Sequence, residues 1–291
     1  MHISIVVPFY NVEKYIEDCL RALLSQNYPQ DCYEIIMIDN NSTDRSSEIV
    51  RCYPRIKLLF ESKLGAYAAR NRGVAASRGV IIAFTDSDCA PCTDWLQRIR
   101  EAMACPEVCL VQGRQRFAFE SLGLSILSDY EAAKAAYTFS AKTKEIYYGY
   151  ANNMAVRRAV FDRMGPFLEL QRGADVVLLH RVIEGYACDA IRYSPDMWVR
   201  NLEVTGVWKW FQKMHIYGRS FRTYGRLAQS RPLSGSERLQ VLQTTIRRHG
   251  YSVAKSLLLI PLLSIGLLYY ELGVGVWRGM KSSRRREGHA V

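Results

Sequence analysis

Two carboxylates separated by a single residue follow an apolar run in the first third of the chain. The pair is Asp86 and Asp88, and the run before it is Val80–Phe84. Carboxylate oxygens are hard ligands that suit Mg²⁺ or Mn²⁺, and these ions bridge pyrophosphate oxygens well. Paired aspartates also serve turns and helix caps, so this alternative stays open. The position directly after a predicted buried strand favours the metal site.

Polar residues also follow two other apolar runs. Pro8–Tyr10 come at the end of the first run, and Asp39 ends the second. In open α/β sheets, ligands bind beyond the carboxyl ends of the strands. The spacing therefore predicts that Pro8–Tyr10, Asp39 and Asp86–Asp88 face one crevice. Neither a dinucleotide-binding glycine loop nor a P-loop accompanies these strands, which disfavours both site types.

The elements that must position these residues alternate between short β-rich runs and helical patterns, which is typical of a parallel α/β sheet. We predict strands at Ile3–Pro8, Glu34–Ile38, Ile56–Phe60, Val80–Phe84 and Val108–Gly113. Helices are predicted after Asn11 as a possible N-cap, from the turn after Asp39 to about Cys52, and over Gly65–Ser77 and Thr93–Ala104.

The middle of the chain is more mixed. Helices are predicted over Leu122–Thr138, Arg158–Met164 and Asp175–Glu184, the last ending at Gly185 as a C′ glycine. Tyr147–Val156 has a strand pattern, and Ile191–Tyr193 and Trp198–Val199 are predicted edge strands.

Four short motifs stand in series along this pattern. They are IVVPFYN at Ile5–Asn11, IDNNSTD at Ile38–Asp44, ARNRG at Ala69–Gly73 and FTDSD at Phe84–Asp88. Their order and spacing resemble the family-two inverting glycosyltransferases of the GT-A fold, over about residues 1–200. NNMAVRR at Asn152–Arg158 and RGAD at Arg172–Asp175 extend the match. The resemblance implies an α/β fold of GT-A type, with a Rossmann-like, mostly parallel sheet flanked by helices.

The resemblance also implies a role for each matching residue. It places the donor-binding positions at Pro8, Phe9, Tyr10, Asp39, Arg70, Asp86, Asn153 and Arg219. Asp39 in the base pocket would accept from the N3–H of uracil, which makes a UDP-sugar the first choice. Asp88, supported by Asp86, would hold Mg²⁺ or Mn²⁺. Structural alternatives remain: a helix cap for Asp39, a solvated ion pair for Arg70, and a basic membrane-facing helix for Arg219.

The catalytic base implied by the resemblance is Asp175. An inverting transfer needs one carboxylate to deprotonate the acceptor hydroxyl as it attacks the anomeric carbon. Ala174 stands where the family often has a glutamate, and Asp175 has an alternative role as a helix N-cap. A second departure is Asn201, which stands where many relatives carry a histidine. His215 and Arg219 lie in a region similar to the family's basic stretch and would neutralise the leaving diphosphate.

The positive charge of the chain is concentrated in its last third. Residues 1–204 carry 24 Lys and Arg against 25 Asp and Glu, whereas residues 205–291 carry 15 against 3. The uncharged run Ser256–Tyr270 accompanies this charge, which favours an acidic lipid surface over nucleic acid as the partner. Fifteen residues are short for a span, so a re-entrant or interfacial segment is preferred, with a span or a core helix as alternatives.

These patterns predict three regions: a catalytic domain at 1–204, a basic aromatic-rich helical region at 205–250, and a membrane-associating segment with a basic tail at 251–291. Because Ile3–Val7 already has a strand pattern, no secretory signal is expected and the enzyme is placed at the cytoplasmic face of the membrane. The predicted partners are a nucleotide-sugar donor, a lipid-linked or glycan acceptor and the membrane surface.

Three further interpretations were weighed. A nucleotidyltransferase acting on sugar phosphates would need a glycine-rich basic loop after the first strand, which Phe9–Val12 lacks. A nucleotide-sugar-binding scaffold without catalysis is opposed by the presence of Asp39, Asp88 and Asp175 together. Four cysteines spaced as Cys-x₂-Cys and Cys-x₃-Cys between residues 89 and 109 resemble a zinc site, but buried free thiols are preferred.

Overall fold

A computed structural model describes residues 2–118 and 121–286, except for the side chains of 276–286. The predicted basic tail, from Arg278 onward, therefore lies outside the described side chains. Within the described residues, one sheet contains β1 (Ile3–Phe9), β2 (Tyr33–Asp39), β3 (Ile56–Phe60), β4 (Ile81–Thr85), β5 (Cys89–Pro91), β6 (Leu110–Phe117), β7 (Asn153–Arg157) and β8 (Ile191–Asn201). The α-helices are α1 (Ile16–Leu24), α2 (Ser46–Arg51), α3 (Ala66–Ala76), α4 (Trp95–Ala102), α5 (Leu122–Ser140), α6 (Arg158–Met164), α7 (Ala174–Tyr186), α8 (Val207–Leu227), α9 (Gly235–His249) and α10 (Val253–Arg286).

The strands follow the order β3-β2-β1-β4-β7-β6-β8-β5. Neighbours on the β3 side, from β3 to β4, are parallel, and β6 is parallel to β8. β7 runs antiparallel to both β4 and β6, and β5 runs antiparallel to β8. The sheet is therefore mixed, and its parallel part is the half that the alternation of strands and helices predicts.

Helices cover both faces of the sheet, which explains why the central strands are continuously apolar. β1 and β4 are buried along their whole length. Alternate residues of β1 enter different cores, with Val7 packed on the face that carries α1 and α4, and Val6 on the face that carries α3, α6 and α7. These two layers hold the strand ends rigidly at the crevice.

One close contact fixes α3 against β1. A Cβ atom at Gly73 would lie 2.4 Å from a methyl carbon of Val6, so only glycine allows this approach. Arg70 lies three residues earlier on the same helix and is buried at the crevice. Gly73 therefore determines how closely α3, and with it Arg70, lies against the sheet.

The C-terminal helices form a second unit that packs on α5. Trp210 and Phe211 of α8 join Leu124 and Leu127 of α5 in one cluster, against which Leu262 of α10 packs. A neighbouring cluster joins α5, α9 and α10. Contacts therefore cross both predicted region boundaries, at residues 204 and 250.

Several sequence predictions are wrong in detail. α1 begins at Ile16 after Tyr15, so Asn11 is not its N-cap. Gly185 lies inside α7, and the left-handed residue that follows the helix is Ala187. The two predicted edge strands are a single strand, β8, which lies between β6 and β5 and pairs with β6 on both sides of a register shift between Ser194 and Trp198. The short strand β5 was not predicted.

Candidate active site

The acidic pair lies at the carboxyl end of β4, as predicted. Oδ2 of Asp88 accepts a hydrogen bond from Asn201 at the end of β8, at 3.4 Å, and Asn201 Oδ1 accepts from the Val204 backbone N–H at 2.9 Å. Burial and the nearby charge of Asp86 raise the pKa of Asp88 to about 6. Two neighbouring carboxylates, one of them with a raised pKa, fit a hard divalent cation. Asn201 therefore does stand beside the acidic pair, where the resemblance places it.

Two thiols lie against the same pair. Cys89 Sγ is 3.5 Å from an oxygen of Asp88, and Cys19 Sγ is 3.7 Å from the backbone carbonyl of Asp86. Burial, reinforced by Asp88, raises the pKa of both thiols. Protonated thiols are poor metal ligands, so the groups at this point that suit a metal ion are the carboxylate oxygens. Among the described residues no group of three His, Cys, Asp or Glu is arranged for a metal, and this includes the four cysteines spaced like a zinc site.

A buried arginine links the acidic pair to a second carboxylate. Arg70 forms an ion pair with Asp86, and its guanidinium lies 5.0 Å from the ring centre of Tyr67. Burial disfavours its charge, but Asp86, Tyr67 and Asp175 outweigh burial and raise the pKa of Arg70. Its Nε is buried without a hydrogen-bond partner in the described part of the chain. The solvated ion pair considered as an alternative is therefore not the arrangement found.

Asp175 is the second carboxylate. It lies in the first turn of α7 and accepts from the backbone N–H groups of Ala151 at 2.9 Å and Val176 at 3.0 Å, and it interacts electrostatically with the Tyr67 side chain. Burial raises the pKa of Asp175 despite the opposing charge of Arg70. A raised pKa makes the carboxylate a stronger base. The N-cap position itself belongs to Gly173, so the capping alternative for Asp175 is wrong.

The predicted base pocket lies at the ends of β1 and β2. Phe9 pairs with Asp39 in the sheet, and both are buried, whereas Tyr10 is 53% exposed. Asp39 accepts from the Ser42 backbone N–H at 2.8 Å and from the Ser47 hydroxyl. Pro8 is also buried, so Tyr10 is the residue of Pro8–Tyr10 whose side chain is open to a ligand.

The side chain of Asn153 is part of the core. It is completely buried, donates to the carbonyls of Arg114 and Met197 at 2.8 Å each, and accepts from the Trp95 indole at 2.8 Å. These bonds tie β7 to its neighbours. The structure therefore gives Asn153 a supporting position behind the site rather than a contact with the donor.

The helix α8 contributes a cation that the sequence analysis did not assign to the site. Nζ of Lys213 lies 3.0 Å from Oε2 of Glu203, and its charge lowers the pKa of Asp88 against the effect of burial. By contrast, Arg219 is exposed, and its backbone and that of His215 approach Gly273 of α10. The described interaction between α8 and the acidic pair thus comes from Lys213, not from Arg219.

Tyr67 and Lys213 are the residues that sequence reasoning missed. Tyr67 lies three residues before Arg70, one helical turn away, which is a usable signal once Arg70 is placed. Lys213 lies in a helix with several basic residues, and the sequence does not show which face of that helix meets the site. Spacing alone therefore could not distinguish Lys213 from Lys209, Arg219 or Arg222.

The chain matches a known protein family. The family model described as glycosyl transferase family 2 matches residues 4–165, more than half of the chain. The chain belongs to glycosyltransferase family 2. The match ends before Asp175 and before the whole of the C-terminal helical unit, so those parts of the site lie outside the matched region.

Two relatives extend the comparison. The chain is 34% identical over 197 residues to glycosyltransferase AglE of Haloferax volcanii, covering 64% of this chain and 62% of AglE. It is 32% identical over 179 residues to putative glycosyltransferase EpsH of Bacillus subtilis, covering 55% and 48%. The matches thus span less than two thirds of these relatives' length.

Two solved structures share the fold. The first is mannosyltransferase PcManGT of Pyrobaculum calidifontis in complex with GDP-Man and Mn²⁺, with TM-score 0.68 and 19% identity, covering 94% of this chain and 86% of that one. The second is TarS 1–349 of S. aureus in complex with UDP-GlcNAc, with TM-score 0.52 and 17% identity, covering 93% and 82%. At these identities the comparison shows the GT-A fold alone.

Proposed function

We propose that this chain transfers a sugar, with inversion, from a nucleotide-sugar donor to a lipid-linked or glycan acceptor at the cytoplasmic face of the membrane. The observation that carries the proposal is the ion pair of Arg70 with Asp86, together with the charge of Asp175, which acts on the same arginine. It brings an acidic pair suited to a diphosphate-bound cation and a buried base into one crevice.

Asp175 is the proposed general base. Its backbone hydrogen bonds hold the carboxylate in place, and burial raises its pKa. It would take the proton of the acceptor hydroxyl while that oxygen attacks the anomeric carbon from the side opposite the diphosphate. A single displacement of this kind inverts the anomeric configuration.

Asp88 and Asp86 are the proposed metal-binding residues. When bound there, Mg²⁺ or Mn²⁺ would supply Lewis-acid stabilisation of the charge on the departing diphosphate. Arg70 would hold Asp86 in place and contribute a fixed positive charge beside the same group. The neighbours in complex with GDP-Man and Mn²⁺ and with UDP-GlcNAc support a nucleotide-sugar donor for this chain.

The nucleotide of the donor is proposed to be UDP, with GDP as the competing choice. A carboxylate at Asp39 can accept from the N3–H of uracil, but the same group also suits the N–H edge of guanine. The carboxylate oxygens of Asp39 already accept hydrogen bonds from Ser42 and Ser47 in this structure. A nucleotide base would therefore have to replace these hydrogen bonds or share the oxygens with them. The donor panel below therefore includes both nucleotides.

Membrane attachment is proposed for α10. The segment Val253–Gly275 has 23 residues and a mean hydropathy of 1.9, and is the one described helix long and apolar enough to cross a membrane. One side of α10 packs on α8 and α5. Because contacts of these helices reach the crevice, an α10 that crossed the membrane would pull the catalytic unit into the lipid. The outward side presents Leu257 and Leu268, which are 64% and 56% exposed. We therefore propose that α10 lies in the plane of the membrane surface.

A donor panel tests the proposal. Purified full-length protein with Mn²⁺ and a membrane extract as acceptor source would be given UDP-, GDP- and dTDP-sugars, and release of each nucleoside diphosphate would be measured. We expect acceptor-dependent release from one donor class. Release of pyrophosphate from a nucleoside triphosphate with a sugar phosphate would instead identify a nucleotidyltransferase. Tight donor binding with no release would identify a scaffold without catalysis.

A further inference from the structure

A half-buried lysine from α8 supplies the acidic crevice with a cation. The side chain of Lys213 is 22% exposed, and its Nζ lies 3.0 Å from Glu203. Although burial disfavours its charge, Tyr217, Asp88 and Glu203 together raise its pKa, so the side chain remains an ammonium at neutral pH. Asn201, which donates to Asp88 at 3.4 Å, is the last residue of β8, and Glu203 lies two residues beyond it, so this ion pair lies near the acidic pair.

The two cations of the crevice, Arg70 and Lys213, differ in how far protein carboxylates already occupy them. Arg70 is buried in its pair with Asp86, which fixes its charge on the carboxylate. Lys213 has three N–H donors, of which the Glu203 contact uses one. It is therefore the cation beside Asp88 with the larger capacity to bind an incoming anion.

We propose that Lys213 binds the diphosphate of the nucleotide donor, so that the C-terminal helical unit completes the active site. The inference rests on the proposed function, because it needs a diphosphate beside Asp88. An ammonium at this place would hold the phosphate that keeps the electron pair when the bond to the sugar breaks. Lys213 lies well beyond residues 4–165, so the catalytic domain alone lacks this group.

The position of Lys213 depends on contacts between α8 and α10. A Cβ atom at Gly273 of α10 would lie 2.2 Å from the carbonyl oxygen of His215, and one at Gly218 would lie 2.0 Å from the carbonyl oxygen of Tyr270. These backbones therefore touch within five residues of Lys213. A displacement of α10 would move α8, and with it the ammonium group.

The test compares nucleotides that differ by one phosphate. Calorimetry with Mn²⁺ would measure the Kd of UDP and UMP, and of GDP and GMP, for full-length wild type, Lys213→Gln and Lys213→Arg. We expect Lys213→Gln to weaken diphosphate binding by about tenfold or more and monophosphate binding by less than about twofold. Lys213→Arg should recover most of the loss. A general distortion of the site would weaken both nucleotides equally.

Matched variants separate the proposal from a purely structural ion pair. If the ion pair served only to hold α8 in place, Glu203→Gln would break the same pair and weaken UDP as much as Lys213→Gln does. The proposal instead expects Glu203→Gln to leave UDP affinity unchanged or higher. The double variant, which leaves no unpaired carboxylate, should keep the selective loss, and so guards against misfolding of the single variant. Arg226→Gln, an exposed charge on the same helix, should have no effect.

Two glycines of α10 test the link between the helices. Gly273→Ala should weaken UDP in the same selective way, because its methyl group meets the His215 carbonyl, whereas Gly275→Ala has open space and should not. If Lys213→Gln binds UDP as tightly as the wild type while Asp88→Ala loses UDP binding, the proposed role of Lys213 is wrong and the proposed function stands. Absence of nucleotide binding by the wild type overturns both.

Discussion

The crevice at the strand ends and the C-terminal helical unit differ in how they use charge. In the crevice, buried groups are paired across elements, as in Arg70 with Asp86 and Lys213 with Glu203. In the helical unit the paired surface is apolar, and leucines such as Leu257 and Leu268 are left exposed. The crevice pairs charged side chains, whereas the helical unit packs through apolar side chains.

The comparison shows that the two regions are joined by one helix. α8 packs on α10 through glycine contacts and reaches the acidic pair through Lys213. If Lys213 and α10 act as proposed, the same helical unit would bind the membrane and complete the site. The predictions below separate the contributions of the two regions.

The largest effect is expected at the base. Asp175→Asn keeps the shape of the side chain but cannot accept a proton, so kcat should fall by about 100-fold or more while the Kd of the donor changes little. Initial rates of nucleotide release and calorimetry would measure the two quantities. Normal turnover in Asp175→Asn would move the base elsewhere, and Glu169 and Asp189 would be tested next.

A smaller effect is expected on the outer face of α10. Leu257 and Leu268 are separated by eleven residues, which is three helical turns, so they share one face. Replacing both by Gln should weaken binding to anionic vesicles by roughly 30-fold, because each leucine contributes about 1 kcal/mol at the interface. Vesicle co-sedimentation at low salt would measure this.

The control for the vesicle experiment is Leu239→Gln on α9, which is 53% exposed. It should leave vesicle binding unchanged. If the double variant of α10 binds vesicles as the wild type does, the exposed leucines serve another contact, and the size of the protein in solution would then show whether they join two copies.

The smallest effect is expected in stability. Because the pKa of Asp88 rises to about 6 in the folded protein, from 3.8, the folded state binds more protons between these values and loses stability as pH rises through them. Asp88→Asn removes this cost, so without metal it should stabilise the protein by about 1–3 kcal/mol at pH 7.5. The gain should shrink toward zero near pH 4.

Thermal unfolding in excess chelator at both pH values would measure this gain. Asp94→Asn is the matched control, since the pKa of Asp94 is lowered by its bonds to Cys92 and Arg98 although burial opposes them. It should not stabilise the protein. A destabilised Asp88→Asn would mean that the carboxylate is satisfied by the protein itself and is not held for a cation.

The sequence predicts the parallel half of the fold well and the other half poorly. β3 has the predicted bounds, β1 differs from its prediction by one residue at one end, and β2 and β4 differ by one residue at each end, because buried parallel strands are continuously apolar. The prediction divides β8 in two because Ser194–Asp196 interrupt its apolar pattern. The pairing with β6 shifts register at this interruption and resumes at Trp198, so one strand runs through it.

The site shows a similar division. Residues within short motifs, such as Asp88, Arg70 and Asp175, lie together as predicted, because strand ends and helix starts fix their direction. Asn153 lies in a motif but faces the core, since the side chain's face depends on the antiparallel placement of β7. Lys213 could not be found from the sequence because its direction depends on how α10 packs against α8.

The proposed function requires the acidic pair to bind a nucleoside diphosphate through a divalent cation, and calorimetry measures this binding. UDP and GDP would be titrated into wild type and Asp88→Ala, each with Mn²⁺ or with excess chelator. We expect one diphosphate to bind the wild type only with Mn²⁺, and Asp88→Ala to weaken this binding by about 100-fold while its unfolding transition remains cooperative. Equal affinity of the wild type in excess chelator would show that the site binds the nucleotide without a cation.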